Sequence, residues 1–182
     1  MILAISGSLR RNSVNTAALR AAAQAAARSG VVVDLDSAPR VLPHFDPDQE
    51  AQPPETVQRF RATCARADAV LLAVPEYAFG IPGALKNALD WTVGDGALYG
   101  KPVAVLNVAP QGRGAHVRQA LELVLKALSC QASWHDVPIH PSLLHDAEIR
   151  DATVVGELAR VVEALAARRR LRSDGADPAL SA

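Results

Sequence analysis

The sequence predicts a doubly wound α/β fold, in which helices cover both faces of a five-stranded parallel sheet. Five short apolar runs alternate with five stretches of helical composition along the 182 residues. The apolar runs are continuous rather than alternating, which is typical of strands buried on both faces of a parallel sheet. Because parallel crossovers are right-handed, successive helices are expected to cover both faces.

The first elements are a strand over residues 2–5, a polar loop over 6–15 and an alanine-rich helix over 14–28. Gly30 stands where the helix is capped. A second strand is predicted over residues 31–35, VVVDL, and its lack of alternation predicts burial on both faces.

Residues 37–54 hold five of the twelve prolines, a density that excludes a helix or a central strand, so we expect an excursion over the surface. The rest of the chain continues the alternation of strands and helices. Strands are predicted over 69–74, 102–108 and 132–139, and helices over 55–66, 82–91, 115–128 and 153–171. We expect one domain over residues 1–172 and a flexible tail over 173–182.

Composition limits the classes of function. Nineteen basic and nineteen acidic residues give zero net charge, so no global field draws the chain toward nucleic acid or an anionic membrane. No signal peptide and no apolar run of about 18 residues is present. The two cysteines, Cys64 and Cys130, are isolated in the sequence, which predicts buried free thiols in a reducing compartment. The alternative is a single disulfide between them. We therefore expect a cytoplasmic protein.

The loop after the first strand, GSLRRNSVN, has the chemistry of a phosphate site. A strand-to-helix loop presents free N–H groups and the positive end of the helix dipole, and this one adds hydroxyl and guanidinium groups. It lacks the second glycine and lysine of a P-loop, and Gly7 stands without the other glycines of a dinucleotide fingerprint. The alternative is that Ser13 and Asn15 only cap the helix.

The loop after the third strand, PEYAFGIPG, is stiffened by two prolines and carries Tyr77 and Phe79, two of the seven aromatic residues. Exposed backbone amides beside aromatic rings suit a planar heterocycle. Two alternatives are that the aromatic residues cover the end of the sheet, and that Glu76 and Tyr77 form an acid/base pair. The last has no evident His, Cys or Ser partner nearby.

For the strand order 2-1-3-4-5, these two loops flank the point where the winding direction changes, and ligands bind there. Phosphate at the first loop and a planar ring at the second describe one mononucleotide cofactor, FMN. Four histidines, His116, His135, His140 and His145, match no familiar spacing of metal ligands, so no metal site is expected.

GSLRRNSVN and the longer motif PEYAFGIPGALKNALDW together resemble the NADPH-dependent FMN reductase family, which includes quinone, azo-dye and chromate reductases. The resemblance implies a flavodoxin-like fold, with FMN as cofactor and NADPH or NADH as co-substrate. It also implies one set of residues for the phosphate and one for the isoalloxazine ring. The phosphate set is Ser8, Arg10, Ser13 and Asn15, and the ring set is Pro75, Glu76, Tyr77, Phe79 and Gly80.

Two departures from the family pattern concern the ring. Ala78 stands where the family often has Asn, so a side-chain hydrogen bond is lost while a backbone contact can remain. The loop after the fourth strand, commonly rich in Ser and Gly, reads APQGRG here. Pro110 and Gln111 are its candidate flavin contacts, and Arg113 is a candidate for a 2′-phosphate.

The resemblance implies a ping-pong cycle that moves hydride from NAD(P)H through flavin N5 to a quinone-like or other small acceptor. No side chain need act as acid or base, because the acceptor can draw protons from water. One small domain leaves a ring face open, so we expect a homodimer or homotetramer. A flavodoxin-type electron carrier is the alternative, although such carriers are usually strongly acidic. An α/β domain without cofactor is a third interpretation.

Overall fold

The computed structural model describes residues 1–110 and 113–173. Its five main strands form one parallel sheet in the order β2-β1-β3-β4-β5, as predicted. The strands are β1 Ile2–Ser6, β2 Val33–Asp36, β3 Ala69–Ala73, β4 Pro102–Asn107 and β5 Gln131–Asp136. The helices are α1 Val14–Arg28, α2 Glu55–Arg66, α3 Gly83–Asp90, α4 Ala115–Ala127 and α5 Ala152–Ser173.

Alternate residues of the central strands supply two separate cores. Ile2 and Ala4 of β1 face α1 and α5, whereas Leu3 and Ile5 face α2, α3 and α4. Burial on both faces explains the continuous apolar composition of β1, β3 and β4. The predicted tail lies outside the described residues from position 174 onward, and Ser173 still belongs to α5.

The expectation that the second strand is buried on both faces was wrong. β2 begins at Val33, forms one edge of the sheet and is only partly buried. Val32, just before it, is 65% exposed. The run VVVDL marks a strand by its β-branched residues, but it cannot show whether the strand has neighbours on both sides. A short antiparallel hairpin, Leu144–His145 with Glu148–Ile149, also had no sequence signal.

The proline-rich excursion lies over the face formed by α3 and contains two short 3₁₀ helices, Ala38–Arg40 and Pro47–Gln49. Asn87 of α3 holds it in place, since its Oδ1 accepts from the backbone nitrogen of Phe45 at 2.7 Å and its Nδ2 donates to Pro43. Phe45 packs edge-on against buried Trp91. The excursion is thus fastened to the second half of α3 and to the residue that follows it.

Candidate cofactor site

The loops after β1 and β3 lie against each other. Gly7 permits the approach, because a Cβ at this position would come within 3.1 Å of the Pro75 ring and 3.3 Å of Leu85. The Oγ of Ser8 and the phenol oxygen of Tyr77 are 3.3 Å apart. Residues 69 positions apart therefore meet at the carboxyl edge of the sheet, where the strand order places them.

The two predicted capping residues at the start of α1 have different roles. Ser13 is the N-cap, and its side chain accepts from the backbone nitrogen of Thr16 at 3.4 Å. Asn15 has no such role: it is 8% exposed, and its Oδ1 has no hydrogen-bond partner within the described part of the chain. A buried amide oxygen without a partner costs about 1–3 kcal/mol. The first turn of α1 carries no acidic residue to oppose an anion.

The turn after β3 is strained and exposed. Tyr77 and Gly80 exchange two backbone hydrogen bonds, of 3.2 and 2.9 Å, around Ala78 and Phe79, whose φ angles are 48° and 58°. Two consecutive positive φ angles define a turn that usually takes Asn and Gly, and each strained residue costs about 1–3 kcal/mol. Tyr77 is 52% and Phe79 74% exposed, so these rings do not cover the end of the sheet. Strain and exposed rings together are typical of a binding loop.

Glu76 caps α4, beside the contact between the rings of His116 and Phe79. Its Oε2 accepts from the backbone nitrogens of His116 and Val117, at 3.1 and 3.0 Å, and its Oε1 lies 3.6 Å from Nδ1 of His116. The expectation that Glu76 and Tyr77 have no His or Ser partner nearby was therefore wrong, because the partners are distant in the sequence. The carboxylate serves as a helix cap, which joins the β3 loop to the start of α4.

Two clefts open beside these loops. The first, here called the ring cleft, has a volume of about 340 Å³ and is lined by residues of the loops after β1, β3 and β4. It brings together four of the predicted cofactor residues, Asn15, Pro75, Glu76 and Pro110. The predicted contact Gln111 lies outside the described residues.

The second, here called the arginine cleft, has a volume of about 310 Å³ and lies between the ends of β1 and β2. It holds the predicted Ser8 and Arg10, together with Arg11, Arg20 and Arg40. Arg40 comes from the proline-rich excursion and donates to the carbonyl of Leu9. Sequence reasoning missed Arg20 and Arg40, because only the folded excursion and the exposed side of α1 bring them to the loop. The predicted phosphate residues thus divide between two neighbouring clefts.

The remaining candidate groups do not form a reactive centre. Both cysteines are unpaired, and burial raises the pKa of Cys64 to about 12 and that of Cys130 to about 11. Burial also lowers the pKa of His135. Within residues 1–110 and 113–173, no group of three His, Cys, Asp or Glu side chains could hold a metal ion. In the same residues, no helix has the length and apolar character to cross a membrane.

Fold and loops together define a flavodoxin-like protein with two clefts at the carboxyl edge of its sheet. The structure resembles a flavoenzyme NAD(P)H:(acceptor) oxidoreductase from Paracoccus denitrificans, with a TM-score of 0.73, 27% identity and coverage of 93% of this chain and 96% of that one. A structure of an NADH:FMN oxidoreductase in its apo form matches with a TM-score of 0.62 and 25% identity, over 92% of this chain and 88% of that chain.

The family model for NADPH-dependent FMN reductase matches residues 1–138, and the chain belongs to that family. A quinone reductase from Pseudomonas putida is 41% identical over 131 residues, 66% of this chain and 68% of the relative. An NAD(P)H-dependent FMN reductase from Pseudomonas aeruginosa is 38% identical over 128 residues, 66% of this chain and 68% of the relative. Family membership makes the chain an NAD(P)H-dependent reductase with FMN as its cofactor.

The residues present fit FMN. The unpartnered Oδ1 of Asn15 in the ring cleft needs a donor, which a ribityl hydroxyl supplies. The N-terminus of α1, whose first turn holds no acidic residue, and the guanidinium groups of the arginine cleft suit a phosphate. The exposed rings of Tyr77 and Phe79, in the loop that follows the cleft-lining residues Pro75 and Glu76, would be able to pack against a planar ring.

Proposed function

We propose that this enzyme transfers hydride from NAD(P)H to a quinone-like or other small acceptor by a ping-pong cycle. When bound, FMN supplies the chemistry, accepting hydride at N5 and delivering it onward. The contact between Ser8 and Tyr77 carries the proposal, because it joins an anion-binding loop to a ring-binding loop. Relatives named quinone reductases support a flat acceptor.

We assign the FMN phosphate to Ser8 and Arg10, with Ser13 fixing the start of α1 and Asn15 facing the ribityl chain. Ser8 is buried, and its Oγ also accepts from the backbone nitrogen of Arg10 at 3.3 Å, so the loop is already ordered around the hydroxyl. An ordered loop has less conformational entropy to lose when the phosphate binds.

We assign the isoalloxazine ring to the segment from Pro75 to Gly80, with Pro110 and Gln111 on the opposite side. Glu76 acts indirectly here, since its carboxylate is occupied at α4. Ala78 offers only its backbone, held in position by the strained turn. No side chain of this segment needs to move a proton, because a reduced quinone can take its protons from water.

We also propose that the enzyme is a homodimer or homotetramer in which a neighbouring subunit covers part of the open site. The exposed rings of Tyr77 and Phe79 support this, since large exposed apolar groups at a site mark an interaction surface. Light scattering of the FMN-loaded enzyme should give at least twice the mass of one chain. A monomer at micromolar concentration would contradict the assembly without affecting the reductase activity.

We further propose that the enzyme is cytoplasmic and that residues 1–172 form a single reductase domain. Two unpaired thiols, Cys64 and Cys130, fit a reducing compartment. A chain ending at residue 172 should retain FMN binding and activity, which steady-state rates of the truncated enzyme would test.

The central experiment is anaerobic mixing of the FMN-loaded protein with NADPH in a stopped-flow spectrometer. The flavin absorbance should bleach and then recover when a benzoquinone is added, and initial rates should give parallel double-reciprocal lines. An electron carrier would bind FMN without bleaching. A protein that retains no flavin absorbance after incubation with FMN and removal of the unbound flavin would exclude both functions.

A further inference from the structure

A third cleft, here called the β4–β5 cleft, opens at the carboxyl ends of those two strands with a volume of about 430 Å³. It shares the lining residues Ala109, Arg113 and Gly114 with the ring cleft, so the two clefts are neighbours on either side of the β4 loop. A ligand whose reactive ring lies in the ring cleft therefore has the β4–β5 cleft beside it for its other end. FMN does not account for the β4–β5 cleft, because its phosphate is assigned to the other side of the ring cleft.

Two guanidinium groups, those of Arg113 and Arg118, line the β4–β5 cleft. Within the described residues, no ion pair neutralises either of them. Arg118 lies over the Trp134 ring, 5.1 Å from its centroid, which holds the side chain in place without removing its charge. Asp136 is the carboxylate of this lining, so the described lining carries a net positive charge.

Asn107, at the end of β4, organises this lining. Its Nδ2 donates to Oδ1 of Asp136 at 2.8 Å and to the backbone carbonyl of Arg113 at 2.9 Å. The first bond partly satisfies the one carboxylate of the cleft. The second fixes the backbone that carries Arg113 beside the ring cleft.

Building on the function proposed above, we propose that the β4–β5 cleft binds the adenosine phosphates of the reduced dinucleotide, through Arg113 and Arg118. A reduced pyridine dinucleotide joins a flat reactive ring to phosphate groups, which matches a ring cleft next to a guanidinium-lined one. Guanidinium groups recognise phosphate oxygens by paired, charge-assisted hydrogen bonds. The β4–β5 cleft is thus the part of the enzyme that holds the phosphates of the electron donor.

The test compares R113Q and R118Q with R160Q, which removes an exposed guanidinium from α5. Each cleft variant should raise KM for NADPH about tenfold, and R118Q, whose arginine lies outside the ring cleft, should do so with kcat and FMN affinity unchanged. A rise for NADPH alone would assign the pair to the 2′-phosphate, and an equal rise for NADH would assign it to the pyrophosphate. An unchanged KM for both dinucleotides in both variants would overturn the inference.

A second measurement does not depend on turnover. Calorimetric titration of the FMN-loaded protein with adenosine 2′,5′-bisphosphate should show binding that R118Q weakens about tenfold and R160Q leaves unchanged. If the wild-type enzyme oxidises NADPH but R118Q matches it in both assays, only this inference fails. If the wild-type protein oxidises neither dinucleotide, the proposed function fails instead.

Discussion

The carboxylate of Glu76 lies 3.0 Å from the backbone nitrogen of Val117, 41 residues further along the chain. This contact joins the β3 loop to the first turn of α4, the helix that begins directly after the β4 loop. Two walls of the ring cleft are therefore held at a fixed separation by one side chain.

Replacing Glu76 with Ala should destabilise the protein by about 1–3 kcal/mol, because two N–H groups of α4 lose their acceptor. In a domain of this size, the melting temperature should fall by about 2–4 °C for each kcal/mol lost. E76Q keeps one acceptor oxygen and should lose less. E55Q, which changes an exposed carboxylate of α2, is the matched control. A melting temperature of E76A equal to that of E55Q would show that the cap is not a stabilising contact.

The Ser8–Tyr77 contact should matter for flavin affinity more than for folding. Y77F removes one hydrogen bond between the two loops, worth about 0.5–1.5 kcal/mol, so the Kd for FMN should rise about two- to tenfold. Fluorescence quenching of FMN on titration measures the Kd. Y99F, which changes an exposed tyrosine of the connector before β4, should leave it unchanged. Equal Kd values for Y77F and wild type would show that the hydrogen bond between the two loops does not contribute to FMN binding.

The edge of the sheet that holds the site could be predicted from the sequence, because each strand end is marked locally. Ser6–Gly7 and Pro75 interrupt apolar runs, and the strand order places those interruptions together. Ser8 and Pro75 follow β1 and β3 within two residues, and Asn15 lies in the first turn of the helix after β1, so the chain order alone places all three near this edge.

The rest of the site depends on contacts that no local pattern encodes. Arg40 reaches Leu9 across 31 residues, from an excursion whose composition indicates only that it is irregular. The cap that Glu76 provides requires the position of α4, which is set by the packing of β4 beside β3. Sequence reasoning assigned Glu76 to the ring, since its position within the motif does not show where its side chain turns.

Asn15 should show opposite effects on folding and on binding. N15A removes a buried oxygen that has no partner in the described structure, so the protein without FMN should keep or gain stability. The same change removes the proposed acceptor for the ribityl chain, and the Kd for FMN should rise about tenfold. Thermal melting of the FMN-free protein and FMN titration measure the two effects separately. A stability loss above about 2 kcal/mol in the FMN-free protein would show that Asn15 has a structural role instead.

Two substitutions at Ala78 should distinguish the effect of backbone strain on stability from the effect of a side-chain contact on FMN binding. A78G relieves a positive φ of 48° and should stabilise the protein by about 1 kcal/mol, which raises the melting temperature by about 2–4 °C. A78N suits the same backbone and adds a side-chain donor near the ring, so it should also tighten FMN binding. Comparison of Kd values for A78G and A78N isolates that donor. Equal values would show that the residue at position 78 contacts FMN through its backbone alone.

Stability should fall in alkaline solution through the buried thiol of Cys64 and the partly buried thiol of Cys130. Burial raises the pKa of Cys64 to about 12 and that of Cys130 to about 11, whereas both thiols ionise near pH 8.5 in the unfolded chain. Their contribution to stability is therefore complete below about pH 8.5 and is lost as the pH rises toward those folded-state values. Each thiol should remove about 1 kcal/mol of unfolding free energy per pH unit in that window. Urea titrations at pH 8 and pH 10 measure the loss, and C64A should show a shallower dependence than wild type. An identical slope for C64A would mean that Cys64 ionises as readily in the folded protein as in the unfolded chain.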